Sequence, residues 1–163
     1  MPEKQTIERA RQAERAGKRP TTQASEFVRE EIEHVRRGKH GARSTKQAIA
    51  IGLSKARRAG VKLGPPPKGR AKAKTRKSAE YALRRAGRGG APSRTRSSVI
   101  EGALRREGRG AASREALAAQ ARQAARRRGA TSRRAAARKA VETKGPAMRK
   151  AAARKAAETR AAA

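Results

Sequence analysis

The sequence predicts an all-α chain: a short helical hairpin module followed by a low-complexity, largely disordered Ala/Arg-rich tail with nascent helices. Three observations carry this. Of 163 residues 57 are hydrophobic, yet 38 of them are Ala and only 19 are larger. Leu, Ile, Val and Phe total 16, well below the roughly 20% under which a highly charged chain is expected to stay disordered. The charge is extreme, with 45 Lys or Arg against 13 acids and a net +32. It is also uneven: residues 1–40 carry net +3 and residues 41–163 net +29, whereas eleven of the 19 larger apolar residues fall in residues 1–68. The first region can collapse around a core, and the second has little to bury.

The elements follow in order along the chain. Residues 1–19 form a mixed-charge segment in which Thr6 can cap a helix over residues 7–16, ended by Gly17, with Ile7 its one large apolar residue. The module proper spans residues 20–63. Ala24, Val28, Ile32 and Val35 recur at helical spacing with Phe27 flanking, predicting an amphipathic helix over residues 23–37. Gly38 to Gly41 supply a turn, and Ser44 with Gln47 reads as a capping box. The next helix, residues 45–59, has an apolar face of Ala48, Ile49, Gly52, Leu53 and Ala56, with Gly60 as a left-handed cap and Val61 or Leu63 folding back. Two helices joined by a short turn make an αα-hairpin. Gly64-Pro65-Pro66-Pro67-Lys68-Gly69 cannot continue a helix and forms a Pro-rich spacer over residues 64–69.

Residues 70–163 read as an Ala/Arg/Lys-rich nucleic-acid-binding tail. ALRRAGRG (residues 82–89) returns as ALRREGRG (103–110), and AAARKAVET (135–143) as AAARKAAET (151–159). Two copies of each are duplications rather than a solenoid. Ala, Arg and Lys all favour helix, which predicts segments at residues 75–86, 97–107, 113–128, 132–143 and 147–159, with a second capping box at Ser98 and Glu101. Like-charge repulsion and the lack of packing partners oppose them, so they are expected to consolidate when a polyanion cancels the charge.

The same composition excludes several classes. No apolar run approaches the ~20 residues needed to cross a bilayer, and the first twenty residues lack an apolar core and contain Glu3, Glu8 and Glu14, unlike a secretory or transit signal. A cytoplasmic location is expected, and no membrane partner. There is no Cys and no Asp, so disulfides and thiolate metal sites are absent. His34 and His40 lie six apart across a helix end without a Cys or Asp to complete a site, so no metal or other cofactor is expected. Tyr81 has no neighbouring base, and no phosphate-cradling loop or catalytic triad can be drawn; an enzyme is not expected.

Arg outnumbers Lys 31 to 14, and the planar guanidinium suits phosphate oxygens. One Phe, one Tyr and no Trp leave no platform for stacking bases, which favours the backbone of duplex DNA. RNA or the ribosome is the alternative partner, although Arg88-Gly89-Gly90 reads better as a flexible joint than as an RNA-binding element. The expected contacts are Lys55, Arg57, Arg58, Arg84, Arg85, Arg105, Arg106, Arg126, Arg127, Arg128, Arg133, Arg134, Arg138 and Lys139. A helix-turn-helix reading of residues 23–60, with Lys46, Lys55, Arg57 and Arg58 near phosphates and Gln47 or Ser54 near base edges, competes with a packing or self-association role. Glu30, Glu31 and Glu33 favour the latter, since DNA would repel them and a basic tail or partner would not.

TTQASEFVREE (residues 21–31) and KHGARSTKQAIAIGLSKARRAG (39–60) resemble a family of small basic, largely uncharacterised bacterial proteins, some labelled DNA-binding or plasmid-stabilisation proteins. The resemblance covers about residues 1–68 and implies a bacterial or phage origin without catalytic residues. The tail is similar in composition to linker-histone and bacterial histone-like tails, though richer in Arg. The expected function is therefore non-sequence-specific DNA binding, by a nucleoid-associated, histone-like architectural protein. The alternatives are an RNA- or ribosome-associated protein, or an interaction protein that docks a partner through the hairpin.

Overall fold

The computed structural model describes residues 2–69, 71–86 and 93–161, and over these the chain is helical without strands. In order come α1 (Lys4–Arg15), α2 (Pro20–Arg36), α3 (Thr45–Arg58), α4 (Ala73–Arg84), α5 (Arg94–Arg105), a single 3₁₀ turn (Gly110–Ala112), α6 (Arg114–Arg126) and α7 (Ala130–Ala161). The chain separates into two compact units, Met1–Ala118 and Ala119–Ala163.

The first unit is built on the expected hairpin. Pro20 opens α2, where its missing N–H is no loss. Gly38, at φ 73°, ends the helix by letting Lys39 N–H return to the His34 carbonyl. Ser44 caps α3 by accepting from the Gln47 N–H at 3.2 Å, but the Gln47 side chain accepts from Arg43 N–H rather than closing a reciprocal box on Ser44. Gly60, at φ 97°, closes α3, and Val61 N–H reaches the Ala56 carbonyl. Val61 is thereby folded into the core, with Leu63 packed beside it.

Packing follows from small residues on α3. Thr45, Ala48, Gly52 and Ala56 are buried along one face, so the two backbones approach closely. A Cβ on Gly52 would stand 2.7 Å from the Val28 Cα, a contact only Gly permits. On one side of this crossing Ala10, Ala24, Phe27, Ala56 and Val61 cluster with Ile7 and Leu53 around them. On the other, Ile32, Val35, Ala42 and Ala48 close around Ala112. The order of these partners makes α2 and α3 antiparallel.

Three sequence expectations are corrected here. Thr6 does not cap α1; it is fully buried inside the helix, and Glu3 occupies the cap position. Burial on α2 is a stronger demand on this short side chain than end-capping. Ser98 does not start α5, because Ser93 takes that place and accepts from Arg96 N–H. The basic stretch after residue 70 also contributes to the first unit. Ala79 and Ala82 of α4 are buried, and Arg76 donates to the Pro66 carbonyl at 3.1 Å. Gly41 N–H donates to Leu104 O, Ala42 N–H to Gly108 O, Thr45 Oγ1 to Ala111 O and Arg36 Nε to Ala112 O. Backbone bonding of this kind needs no large apolar residue, so hydrophobic counting missed it.

The second unit contrasts with this. None of its described residues is buried. In α7 the expected break is visible: Gly145 has φ 63° and ψ 170°, followed by Pro146, so the helix is two segments meeting at a kink. Among the described residues no helix is long and apolar enough to cross a membrane. Arg88-Gly89-Gly90 lies outside the described residues.

Candidate nucleic-acid interface and a buried charged cluster

The fourteen expected contacts divide sharply. Arg84, Arg85, Arg105, Arg106, Arg126, Arg127, Arg128, Arg133, Arg134, Arg138 and Lys139 are all exposed. Thr131, Arg134, Ala135, Arg138, Lys139 and Glu142 line one open stripe of α7. Of the three on α3, only Arg58 is exposed, with its Nε on the Ser54 carbonyl. Arg57 is turned inward, 6% exposed, with Nε donating to Leu63 O at 2.9 Å and Nη2 to Gly64 O at 3.1 Å. Burial lowers its pKa from the ordinary arginine value. It clamps the chain leaving α3 onto the helix and is not presented to a phosphate.

Lys55 is likewise committed inside the fold. Its Nζ stands 2.6 Å from Glu31 Oε2 and 3.8 Å from Glu30 Oε1. Glu31 is fully buried and Glu30 nearly so. The face expected to hold a basic tail or partner is thus occupied by the module's own cations. Removing carboxylates from water costs several kcal/mol each unless they are paired, and the cluster supplies partners from four segments. His40 Nε2 is 3.2 Å from Glu31 Oε1, while His40 Nδ1 lies 3.0 Å from the Gly41 carbonyl. His34 Nε2 is 3.0 Å from Glu3 Oε1 and 3.9 Å from Glu30 Oε1. Glu3 N–H donates to Glu30 Oε2, and Lys39 Nζ sits 2.9 Å from Glu3 Oε1. Hydrogen bonds from Lys39 first and His34 second hold the Glu3 carboxyl down at about 2. Even so, Glu30 Oε1 and both oxygens of Glu31 accept no well-formed hydrogen bond from the protein.

Sequence reasoning missed this cluster although a signal was present. The residues of α2 at or below 1% exposure among the apolar set are Ala24, Phe27 and Val35. Glu31 stands four residues after Phe27 and four before Val35, on the same stripe. Reading the stripe through Val28 and Ile32 instead placed Glu31 at the edge. The two imidazoles meet because the Gly38 turn folds His40 back beside α2, and their ring centroids are 6.1 Å apart.

The helix-turn-helix reading loses side chains by the same geometry. Lys55 and Arg57 face inward, and Gln47 bonds the Arg43 backbone, which leaves Lys46 and Arg58 as exposed cations on α3. Neither aromatic forms a stacking platform: Phe27 is in the core, and exposed Tyr81 pairs with Arg85, whose guanidinium lies 5.6 Å from the ring centroid.

These features define an all-helical, strongly basic protein with a buried acidic cluster in one unit and exposed cations in the other. Against known proteins, residues 11–69 match the sequence model of a family described as a family of unknown function (DUF6496). The match takes in α2, α3, both histidines and the Pro-containing segment after α3. No curated protein matches, and no solved structure does.

Proposed function

We propose that the protein binds duplex DNA without sequence preference and compacts it, as a nucleoid-associated, histone-like architectural protein of a bacterial cytoplasm. One observation carries this reading. Residues 119–163 hold 14 Lys or Arg and two Glu, every one of those cations is exposed, and among the described residues no ion pair lies beyond Glu80. Positive charge that is neither buried nor internally paired binds polyanions by releasing their condensed counterions.

The arrangement on α7 favours compaction over groove reading. Basic pairs at Arg133 and Arg134, Arg138 and Lys139, Arg149 and Lys150, and Arg154 and Lys155 recur at steps of five within each segment. At about 100° per residue, such a step turns the next pair by roughly 140°. The cations therefore face several directions and engage more than one phosphate backbone. Such contacts position a duplex without reading its bases, and the near absence of exposed aromatics disfavours single strands. The role is binding rather than catalysis. Because α7 has no apolar face and repels itself, its helices are expected to be marginal free in solution and to consolidate on DNA.

The test is a salt titration of the full chain against duplex DNA, single-stranded DNA and structured RNA of equal length. With about ten phosphate contacts, duplex affinity should fall 10³- to 10⁵-fold between 50 and 200 mM salt, with duplex preferred throughout. Equal or tighter binding to structured RNA would move the function to an RNA partner, and a shallow slope would remove the electrostatic reading.

A further inference from the structure

We propose that Glu31, His34 and His40 bind a divalent transition-metal ion, with Zn²⁺ the best fit. One ligand atom from each lies within 4.8 Å of the other two. The 3.2 Å between His40 Nε2 and Glu31 Oε1 is about the edge of a tetrahedron with metal–ligand bonds of ~2.0–2.1 Å. His34 needs only a small side-chain adjustment to complete a third corner. Glu3 Oε1, 3.0 Å from His34 Nε2 and half exposed at the solvent edge, is the neighbouring fourth donor.

Hydrogen bonding at His40 points to a cation in this place. Its Nδ1 faces the Gly41 carbonyl at 3.0 Å, and a carbonyl can only accept, so Nδ1 carries a proton. In the neutral ring Nε2 then has a lone pair, and it is aimed at a carboxylate oxygen. Two acceptors 3.2 Å apart repel unless a positive species lies between them. A ring N–H on a backbone carbonyl with the other nitrogen free is the arrangement that orients metal-binding imidazoles.

Glu31 supplies a second, independent observation. It is completely buried, yet neither of its carboxylate oxygens accepts a well-formed hydrogen bond. Lys55 lies against Oε2, which leaves Oε1 directed toward His40. Around it the three carboxylates of Glu3, Glu30 and Glu31 face the two ammoniums of Lys39 and Lys55, a balance that favours a further cation. Two imidazoles and one carboxylate select zinc, cobalt or nickel over magnesium or calcium. A bound ion would tie α2 to the loop whose Gly41 and Ala42 bond residues 104 and 108, and so would stiffen the first unit. This inference is independent of DNA binding.

The test uses the full chain, freed of metal, titrated at pH 7.5 with Co²⁺ alone and with Zn²⁺ alone. One equivalent of Co²⁺ should give the visible absorption of a tetrahedral N/O site, Zn²⁺ should displace it, and Zn²⁺ should raise the melting temperature. His34→Gln and His40→Gln should each weaken Co²⁺ binding by about a hundredfold or more. His40→Cys should retain binding and add a thiolate-to-cobalt charge-transfer band, a signature that a merely structural role would not produce. Should the Gln variants not fold, histidine ring resonances of the unsubstituted chain serve instead, and both must shift with one equivalent of Zn²⁺. A wild-type chain without the cobalt spectrum, or Gln variants that bind as tightly as wild type, would overturn the proposal and leave a proton as the cation between His40 and Glu31.

Discussion

In the first unit Arg57 and Lys55 are drawn inside, onto the carbonyls of Leu63 and Gly64 and onto the Glu31 carboxylate; in the second every Arg and Lys lies in solvent. The residue types are the same and the surroundings differ. Seven of the 13 acids fall in residues 1–40 and only two in residues 119–163, so Lys55 finds a buried carboxylate in the first unit, whereas the cations of the second stay in solvent. Net charge alone hides this division.

The comparison breaks most visibly if the exposed set is neutralised. Replacing Arg126, Arg127, Arg128, Arg133, Arg134, Arg138 and Lys139 together with Gln should lower duplex affinity about 10³-fold or more near 150 mM salt, as measured by fluorescence anisotropy. The melting of the first unit, followed by circular dichroism, should stay where it was. A large fall in stability would show that these residues do more than display charge.

Glu31→Ala probes the opposite side. It leaves Lys55 and His40 without their buried partner, a change worth about 3–5 kcal/mol, to be read from urea unfolding. Duplex affinity of the folded variant should be unaffected. If stability hardly moves, the buried cluster is not holding the hairpin.

Backbone closeness gives the next effect. Gly52→Ala places a methyl 2.7 Å from the Val28 Cα and should cost about 1–3 kcal/mol by overpacking. Ala137→Gly, in an exposed turn of α7, should cost only about 1 kcal/mol of local helix and leave the melting of the first unit unchanged. Equal losses for the two would erase the distinction between a packed and an unpacked unit.

The smallest effect is the titration of Glu3. Its carboxyl is held from 4.5 down to about 2 by Lys39 and His34. A depressed carboxylate stabilises the fold above its unfolded value, and that contribution is lost as pH falls from about 4.5 through about 2. Glu3→Gln should therefore flatten the acid limb of stability in that window and leave stability above it lower by a constant amount. An unchanged acid limb would place the contact outside the folding equilibrium.

Much of the helical plan was legible because its signals are local. The turn glycines at 17, 38, 60 and 145 end or break helices where their positions suggested, and the predicted helices recur within a few residues. What was not legible depends on distant backbone. The Leu104 and Gly108 carbonyls meet Gly41 and Ala42, and no periodicity encodes a partner more than sixty residues away. Charge alone marks the nucleic-acid candidates, and charge cannot tell an Arg that bonds its own chain from one in solvent. By that measure Arg57 and Lys55 are indistinguishable from Arg134. Glu31 is the converse case: tracing the apolar stripe through Val28 and Ile32 puts it on an outward acidic face, whereas the buried stripe runs through Phe27 and Val35 and carries Glu31 inside.

The most direct test of this division is the slope of log K against log salt for duplex DNA, compared between wild type, Arg134→Gln and Arg57→Gln. Arg134→Gln should reduce the slope by at most ~1 without altering the melting temperature, whereas Arg57→Gln should leave the slope of the folded protein unchanged and lower the melting temperature. A slope that falls for Arg57→Gln and not for Arg134→Gln, or binding abolished by the single Arg134 substitution, would contradict the account.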